Sequence, residues 1–256
     1  MALKSTVNVG DVRQNNLGEK FTVVEWVDSY NVTVQFEDGT VRTTRNSEIK
    51  AGSVKNPMTP SVFGVGFYGQ IPKKILDNFS KQDIKQCYTV WIGMLGRCYS
   101  DDIRASSPSY KGCTVDTHWF NFSTFAEWYL NNEDCLGIDD LQVDKDLLGN
   151  GKLYSPECCC LIPRELNQSL QMTKKSKYNL LAGVTLDKGK FKAQVNTLDG
   201  KVKHLGVFTD ERKAHETYLV AKKQVWKELY DKYEPTLSNR VLKRLQDILS
   251  NPRKLL

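Results

Sequence analysis

Lys190-Phe-Lys-Ala-Gln-Val-Asn196 alternates strictly: Phe191, Ala193 and Val195 fall on one face, Lys190, Lys192, Gln194 and Asn196 on the other. A period of two residues is the mark of a strand with one buried and one solvated face. Asp187-Lys-Gly189 and Leu198-Asp-Gly200 supply turns on either side, so strands are predicted at 180–186 and 202–208 as well. Beyond Phe208 the period changes. Thr209 or Asp210 caps a helix reaching about Tyr233, with Ala214, Tyr218, Ala221, Val225, Trp226 and Leu229 along one face. Pro235 stops it, and Ser238–Leu249 reads as a further short basic helix. Three antiparallel strands under a helix leave one sheet face free. That face is predicted to carry Lys188, Lys190, Lys192, Gln194, Lys201 and Lys203.

Upstream, Ile84, Cys87, Tyr88, Trp91, Leu95 and Cys98 recur at helical spacing from Asp83, with Ser80 as the cap and Asp83 in the capping-box position. Ser100–Gly112 reads as a polar loop, and Phe122–Tyr129 as a second helix. Leu141–Leu148 and Lys152–Tyr154 flank a Gly149-Asn-Gly151 turn, and Cys160–Leu170 is predicted to form a closing helix after Pro156. Near the start, Phe21–Val27, Asn31–Phe36 and Val41–Thr44 are rich in β-branched and aromatic residues and joined by turn signals such as Asp38-Gly39. So many short strands in so few residues predict a small SH3-like β barrel. The fold class is therefore α+β. Three modules are expected, at 1–57, 58–173 and 174–256, with Pro57 and Pro60 marking the first linker.

Charge is distributed unevenly. The 256 residues carry a formal +6, yet residues 1–57 are neutral, residues 58–173 net −4 and residues 174–256 net +10. A basic excess confined to one end points to an anionic partner for it. Lysines on a sheet can contact phosphates while Gln or Asn reads base edges, so double-stranded DNA is the expected partner, with RNA as a weaker reading. Lys174-Lys-Ser-Lys177 is a further candidate for tracking phosphates. No apolar run approaches the about 18 residues that span a bilayer, and the first residues lack a signal-peptide pattern. No membrane association and a cytoplasmic location are expected. Seven cysteines with no Cys-x-x-Cys pair suggest reduced thiols and argue against a structural Zn²⁺. The alternative is a four-thiolate site from Cys98, Cys113, Cys158 and Cys160. No P-loop, Rossmann glycine pattern or Gly-x-Ser-x-Gly occurs.

Two stretches resemble known families. Ala182-Gly-Val184, Lys190–Val195, His204-Leu-Gly-Val-Phe208 and Ala214-His-Glu-Thr-Tyr218 look like an AP2/ERF-type DNA-binding domain, over residues 178–233. Residues 84–170 resemble a degenerate HNH (ββα-metal) module of phage homing endonucleases. The matching residues are Trp91-Ile-Gly-Met94, Arg97-Cys-Tyr99, Trp119-Phe-Asn-Phe122, Val143-Asp-Lys-Asp146, Tyr154-Ser-Pro156 and Asn167. The resemblance implies an endonuclease that hydrolyses DNA phosphodiester bonds in a phage host's cytoplasm. Asp144 and Asn167 then hold Mg²⁺ or Mn²⁺, Lys145 stands where the family has its general-base histidine, and Cys158 where it has an orienting asparagine. Asp146 is a second candidate for the base and Arg97 for clamping a phosphate. The alternative is an inactive HNH-fold factor that binds DNA, or a host protein through the N-terminal barrel.

Overall fold

Strand and helix follow one another along the chain much as their two periods predict, giving an α+β molecule. The computed structural model describes residues 6–170 and 180–251, so Lys174–Lys177 lie outside the described residues. The chain divides into two units, Met1–Lys111 with Val115–Leu130 and Gly112–Thr114 with Asn131–Leu256.

The first unit opens with an antiparallel meander, β1 (Val12–Gln14), β2 (Lys20–Asp28), β3 (Asn31–Phe36) and β4 (Val41–Thr44), in the order β1-β2-β3-β4. Phe21, Val23, Val32, Val34 and Phe36 bury one face against Ile49 and Val54. The expected barrel does not close. β1 has three residues and pairs only with β2, and after Thr44 the chain turns into helix α1 (Asn46–Ala51), whose Ile49 covers the core instead.

After α2 (Lys73–Asn78) comes α3 (Lys81–Tyr99), begun by a complete capping box: Ser80 Oγ accepts from Asp83 N, and Asp83 accepts from Ser80 N. The stretch read as a polar loop is in part helical. Ser100 caps α4 (Asp101–Ser106), and two aspartates in its first turn favour that end of the helix dipole. α5 (Phe122–Leu130) packs its aromatics on α3. Trp91, Trp119, Phe122 and Phe125 are fully buried, and Trp91 Nε1 donates to Trp119 O at 2.7 Å.

In the second unit Thr114 N–H donates to Lys152 O at 2.8 Å. β5 (Leu141–Asp144) pairs antiparallel with β7 (Cys160–Pro163), and a two-residue strand β6 (Leu153–Tyr154) lies between them in sequence. The single helix expected over 160–170 is thus a strand followed by α6 (Arg164–Leu170). Pro163 explains the break, since a proline drives the residue before it into extended backbone while suiting the start of a helix itself.

Next come β8 (Val184–Asp187), β9 (Lys190–Asn196) and β10 (Val202–Phe208), in the order β10-β9-β8, then α7 (Glu211–Tyr233), capped by Asp210, and α8 (Asn239–Ser250). Gly183 (φ +76°) admits the Tyr218 ring of α7; a Cβ there would lie 2.0 Å from it. Leu166, Leu170 and Ile162 share one core with Val195, Trp226, Leu229, Val241, Leu245 and Ile248. The hairpin, α6, the sheet and both C-terminal helices therefore fold around a common interior.

That interior is fastened by an ion pair between a buried carboxylate, Asp134, and a partly exposed guanidinium, Arg240. Arg240 Nε reaches Asp134 Oδ1 at 2.6 Å and its Nη2 reaches Oδ2, while Ser238 Oγ and Leu161 N also donate to the same carboxylate. Arg240 Nη2 also bonds Cys159 O at 2.9 Å, and Arg244 Nε bonds Leu147 O at 2.8 Å. Burial pushes the Asp134 carboxyl up, but the Arg240 and Ser238 bonds outweigh it and hold it below the ordinary value. A carboxyl so lowered contributes stability that is present above its unfolded pKa and lost as pH falls through the folded one. Arg240→Met should cost about 1–3 kcal/mol at pH 7, because the buried carboxylate keeps only its Ser238 and Leu161 donors. Urea unfolding at pH 7 and pH 3 checks this, with the deficit expected to shrink at the lower pH, below the ordinary carboxyl value.

Candidate metal centre and nucleic-acid interface

Asp144 ends β5 opposite Cys160. Its Oδ1 accepts from Asp146 N at 3.0 Å and Leu147 N at 2.6 Å, so the side chain closes the turn that leaves the strand. The carboxylate is buried, and burial raises its pKa to about 6, the two backbone donors offsetting only part of that cost. Gln142 stands two residues earlier and shares its strand face. On α6, Asn167 Nδ2 donates to Gln142 Oε1 at 2.9 Å. Hairpin and helix thus bring Asn167 to the face of β5 that carries Asp144.

Lys145 is buried beside them. Its Nζ meets Asp146 Oδ1 at 2.8 Å and lies 5.7 Å from the centre of the Tyr154 ring. Burial acts to lower its pKa, yet the bonds to Asp146 outweigh it and hold the ammonium above the ordinary lysine value. A lysine held this way keeps its proton and offers charge and hydrogen bonds, not a base. Asp146 is half-exposed and already engaged by Lys145.

Arg97 belongs to the first unit, where its guanidinium lies 5.6 Å from the Tyr110 ring centre. His118, in the same unit, is exposed and bonds Asp116 Oδ1. His215 Nδ1 contacts Ala182 O at 2.8 Å, tying α7 to the loop before β8. Among the described residues no three His, Cys, Asp or Glu side chains gather into a metal-holding group. Burial pushes the Cys87 thiol up to about 12 and raises those of Cys159 and Cys160 well above the ordinary thiol value, which favours the protonated form. Two hard oxygens could serve a cation here, Asp144 Oδ2 and the Asn167 side-chain carbonyl. They suit Mg²⁺ or Mn²⁺, which keep several waters and take one or two protein oxygens.

The sheet places the candidate DNA-binding residues unequally. Lys192 stands between Thr185 and Val207, and Gln194 stands opposite His204. Residues directly opposite in an antiparallel pair point the same way, so Lys190, Lys192, Gln194 and His204 share the outer face. Lys203 does not join them. The register slips between Ala193 and Gln194, Leu205 is left as a bulge, and Lys203 comes opposite inward-facing Val195. Gly206, at φ +145°, supplies the backbone this needs. The alternation rule alone misses such a slip, although a glycine inside a strand pattern is its signal.

Lys188 and Gly189 form the hairpin tip with φ +47° and +77°, a primed turn. Lys201 is engaged by Asp199 at 2.8 Å. Lys188, Lys190, Lys192 and Lys203 form no ion pair among the described residues and are available to an anion. Part of the remaining basic excess is engaged within the molecule: Arg240 and Arg244 hold the hairpin, Lys232 pairs with Glu165, Lys227 with Asp231, and Lys222 is buried. No protein-family model matches the chain, and no curated protein or solved structure matches it.

Two outcomes follow from these geometries. A carboxyl whose folded pKa is raised costs stability as pH climbs from its unfolded value through the folded one. Asp144→Asn keeps an oxygen for the two backbone donors and removes that cost. It should stabilise the protein at pH 7.5 by up to about 3 kcal/mol, and by little at pH 4, as followed by thermal unfolding. A non-glycine residue in the left-handed region costs roughly 1 kcal/mol, less for Asn. Lys188→Asn should therefore raise stability by up to about that amount while weakening duplex binding, read by fluorescence anisotropy.

Proposed function

We propose that this chain is a DNA-binding endonuclease of the HNH type, hydrolysing phosphodiester bonds with a divalent metal. The observation that carries the reading is the ββα unit: two antiparallel strands leading directly into α6, with Asn167 bonded to the strand that ends in Asp144. The sheet of residues 184–208 and α7 would be the AP2-like docking module, its unpaired lysines lying along DNA phosphates. The N-terminal meander would be an accessory module, with exposed Val27 and Tyr30 offering a surface to a protein partner.

Asp144 and Asn167 would hold the ion, which supplies a water of lowered pKa and neutralises charge at the phosphate. Lys145, fixed in its charged form by Asp146, would face the phosphate as an electrostatic partner. Lysines that replace counterions along DNA make binding fall steeply with salt. No described helix is long and apolar enough to cross a membrane.

Lys145 also favours a second reading. An ammonium in place of a base suits an inactive HNH-fold factor that binds DNA, or a host protein, to regulate it. Supercoiled plasmid incubated with Mg²⁺ or Mn²⁺ separates the two. The nuclease reading expects nicked or linear product from the wild type and none from Asp144→Asn. Intact plasmid together with salt-sensitive binding would favour the regulatory factor. Binding that is independent of salt would overturn both DNA readings, and duplex RNA competing better than DNA would redirect them.

A further inference from the structure

The buried stripe of α7 runs Ala214, Tyr218, Lys222, Val225, Trp226 and Leu229, so a lysine sits in the phase of the core. Lys222 is 7% exposed. Among the described residues its ammonium meets Ser169 Oγ at 3.4 Å and the Trp226 ring at 5.7 Å, and no carboxylate. Desolvating a cation without a counter-ion is costly, and buried charges are normally paired or hydrogen-bonded. Burial accordingly pushes this lysine's pKa down to about 8.

Lys222 forms part of the wall of a cavity of about 560 Å³. Pockets that take small molecules measure roughly 300–1,000 Å³. The cavity opens beside β9 beyond Ala193, where pairing with β8 ends. Gln168 and Ser169 of α6 lie along it, as do Gln194 and Asn196 of β9, two residues it shares with the sheet face that carries Lys190 and Lys192. Among the described residues the one carboxylate on the wall, Glu165, is already occupied by Lys232 Nζ and Tyr233 OH. Among those residues, what remains is one cation and a set of neutral donors and acceptors. A phosphate suits the first, and the donor–acceptor edges of a base suit the amides.

We propose that this cleft binds a single nucleotide unit, its phosphate on Lys222 and Ser169 and its base among Gln168, Gln194 and Asn196. The unit is either a free mononucleotide or an unstacked nucleotide of a single strand. The site goes beyond the nuclease reading and uses none of the residues assigned to the metal.

Isothermal titration of the full chain in EDTA keeps cleavage out of the readout, so this test stands or falls separately from the nuclease reading. The probes are inorganic phosphate, the four deoxynucleoside monophosphates, the matching nucleosides, and a 5′-phosphorylated single-stranded oligonucleotide. Monophosphates should bind at least about tenfold more tightly than nucleosides, the scale of one charge-assisted contact. Lys222→Met, which removes a buried unpaired charge, should lose that advantage while melting at or above the wild-type temperature. A tighter oligonucleotide assigns the site to strands; equal affinity assigns it to free nucleotides. Should Lys222→Met not fold, Gln168→Ala, on the part of the wall contributed by α6, carries the comparison, with weakened monophosphate binding expected. The proposal is overturned if no phosphate-bearing probe binds at millimolar concentration, or if the folded variant binds monophosphates as the wild type does.

Discussion

The Asp134–Arg240 pair holds the second unit together. One carboxylate just after α5 receives a guanidinium from α8, a serine hydroxyl and a strand N–H, and the same guanidinium also grips Cys159 O. Arg244 adds a bond to Leu147 O, one residue beyond the Lys145–Asp146 pair. The turn carrying Asp144 is therefore set from its own side chain inside and from α8 outside. A candidate metal ligand on a loop gains precision in this way, because its backbone is fixed by groups that are themselves buried and paired.

The same contacts change what the charge distribution means. Read along the chain, the C-terminal third is a basic block facing an anion. In three dimensions part of that block is structural, spent on Asp134, Glu165 and backbone carbonyls. Among the described residues, exposed cations without an ion pair lie at the tip and outer face of the small sheet (Lys188, Lys190 and Lys192) and also along α7 and α8 (Arg212, Lys213, Lys223 and Lys243). Asp144 adds a tension typical of functional sites: the fold would be more stable with a neutral group there, and it keeps a carboxylate.

Most of the secondary structure was legible because period and punctuation agreed. The alternation of residues 190–196, the Ser80/Asp83 box and the stripe on α7 each carry two independent signals. Failures came where a single signal was trusted. Cys160–Leu170 looks like one apolar helix until Pro163 is given its effect on Ile162. The meander looked like a barrel because strand count says nothing about whether the first and last strands meet. Lys203 was assigned by alternation, which a bulge at Leu205 reverses. Lys222 was missed because the stripe was read through its apolar neighbour Ala221. A lysine four residues after Tyr218 and four before Trp226 was the available clue. Of the candidate site, Asp144 and Asn167 were legible through a resemblance, whereas the state of Lys145 depends on burial and on Asp146, which no spacing encodes.

The clamp also sets an order of events. Asp134 and Arg240 are 106 residues apart, and both strands of the hairpin lie between them. Closing so long a loop is slow, and contacts of high sequence separation form late. During synthesis the meander and the α3–α5 helices can complete their aromatic core while Arg240 has yet to emerge. The Asp144 turn closes on its own neighbouring N–H groups and gains the Arg240 and Arg244 bonds only once α8 has been made. A chain interrupted before α8 would carry the candidate site residues without those bonds.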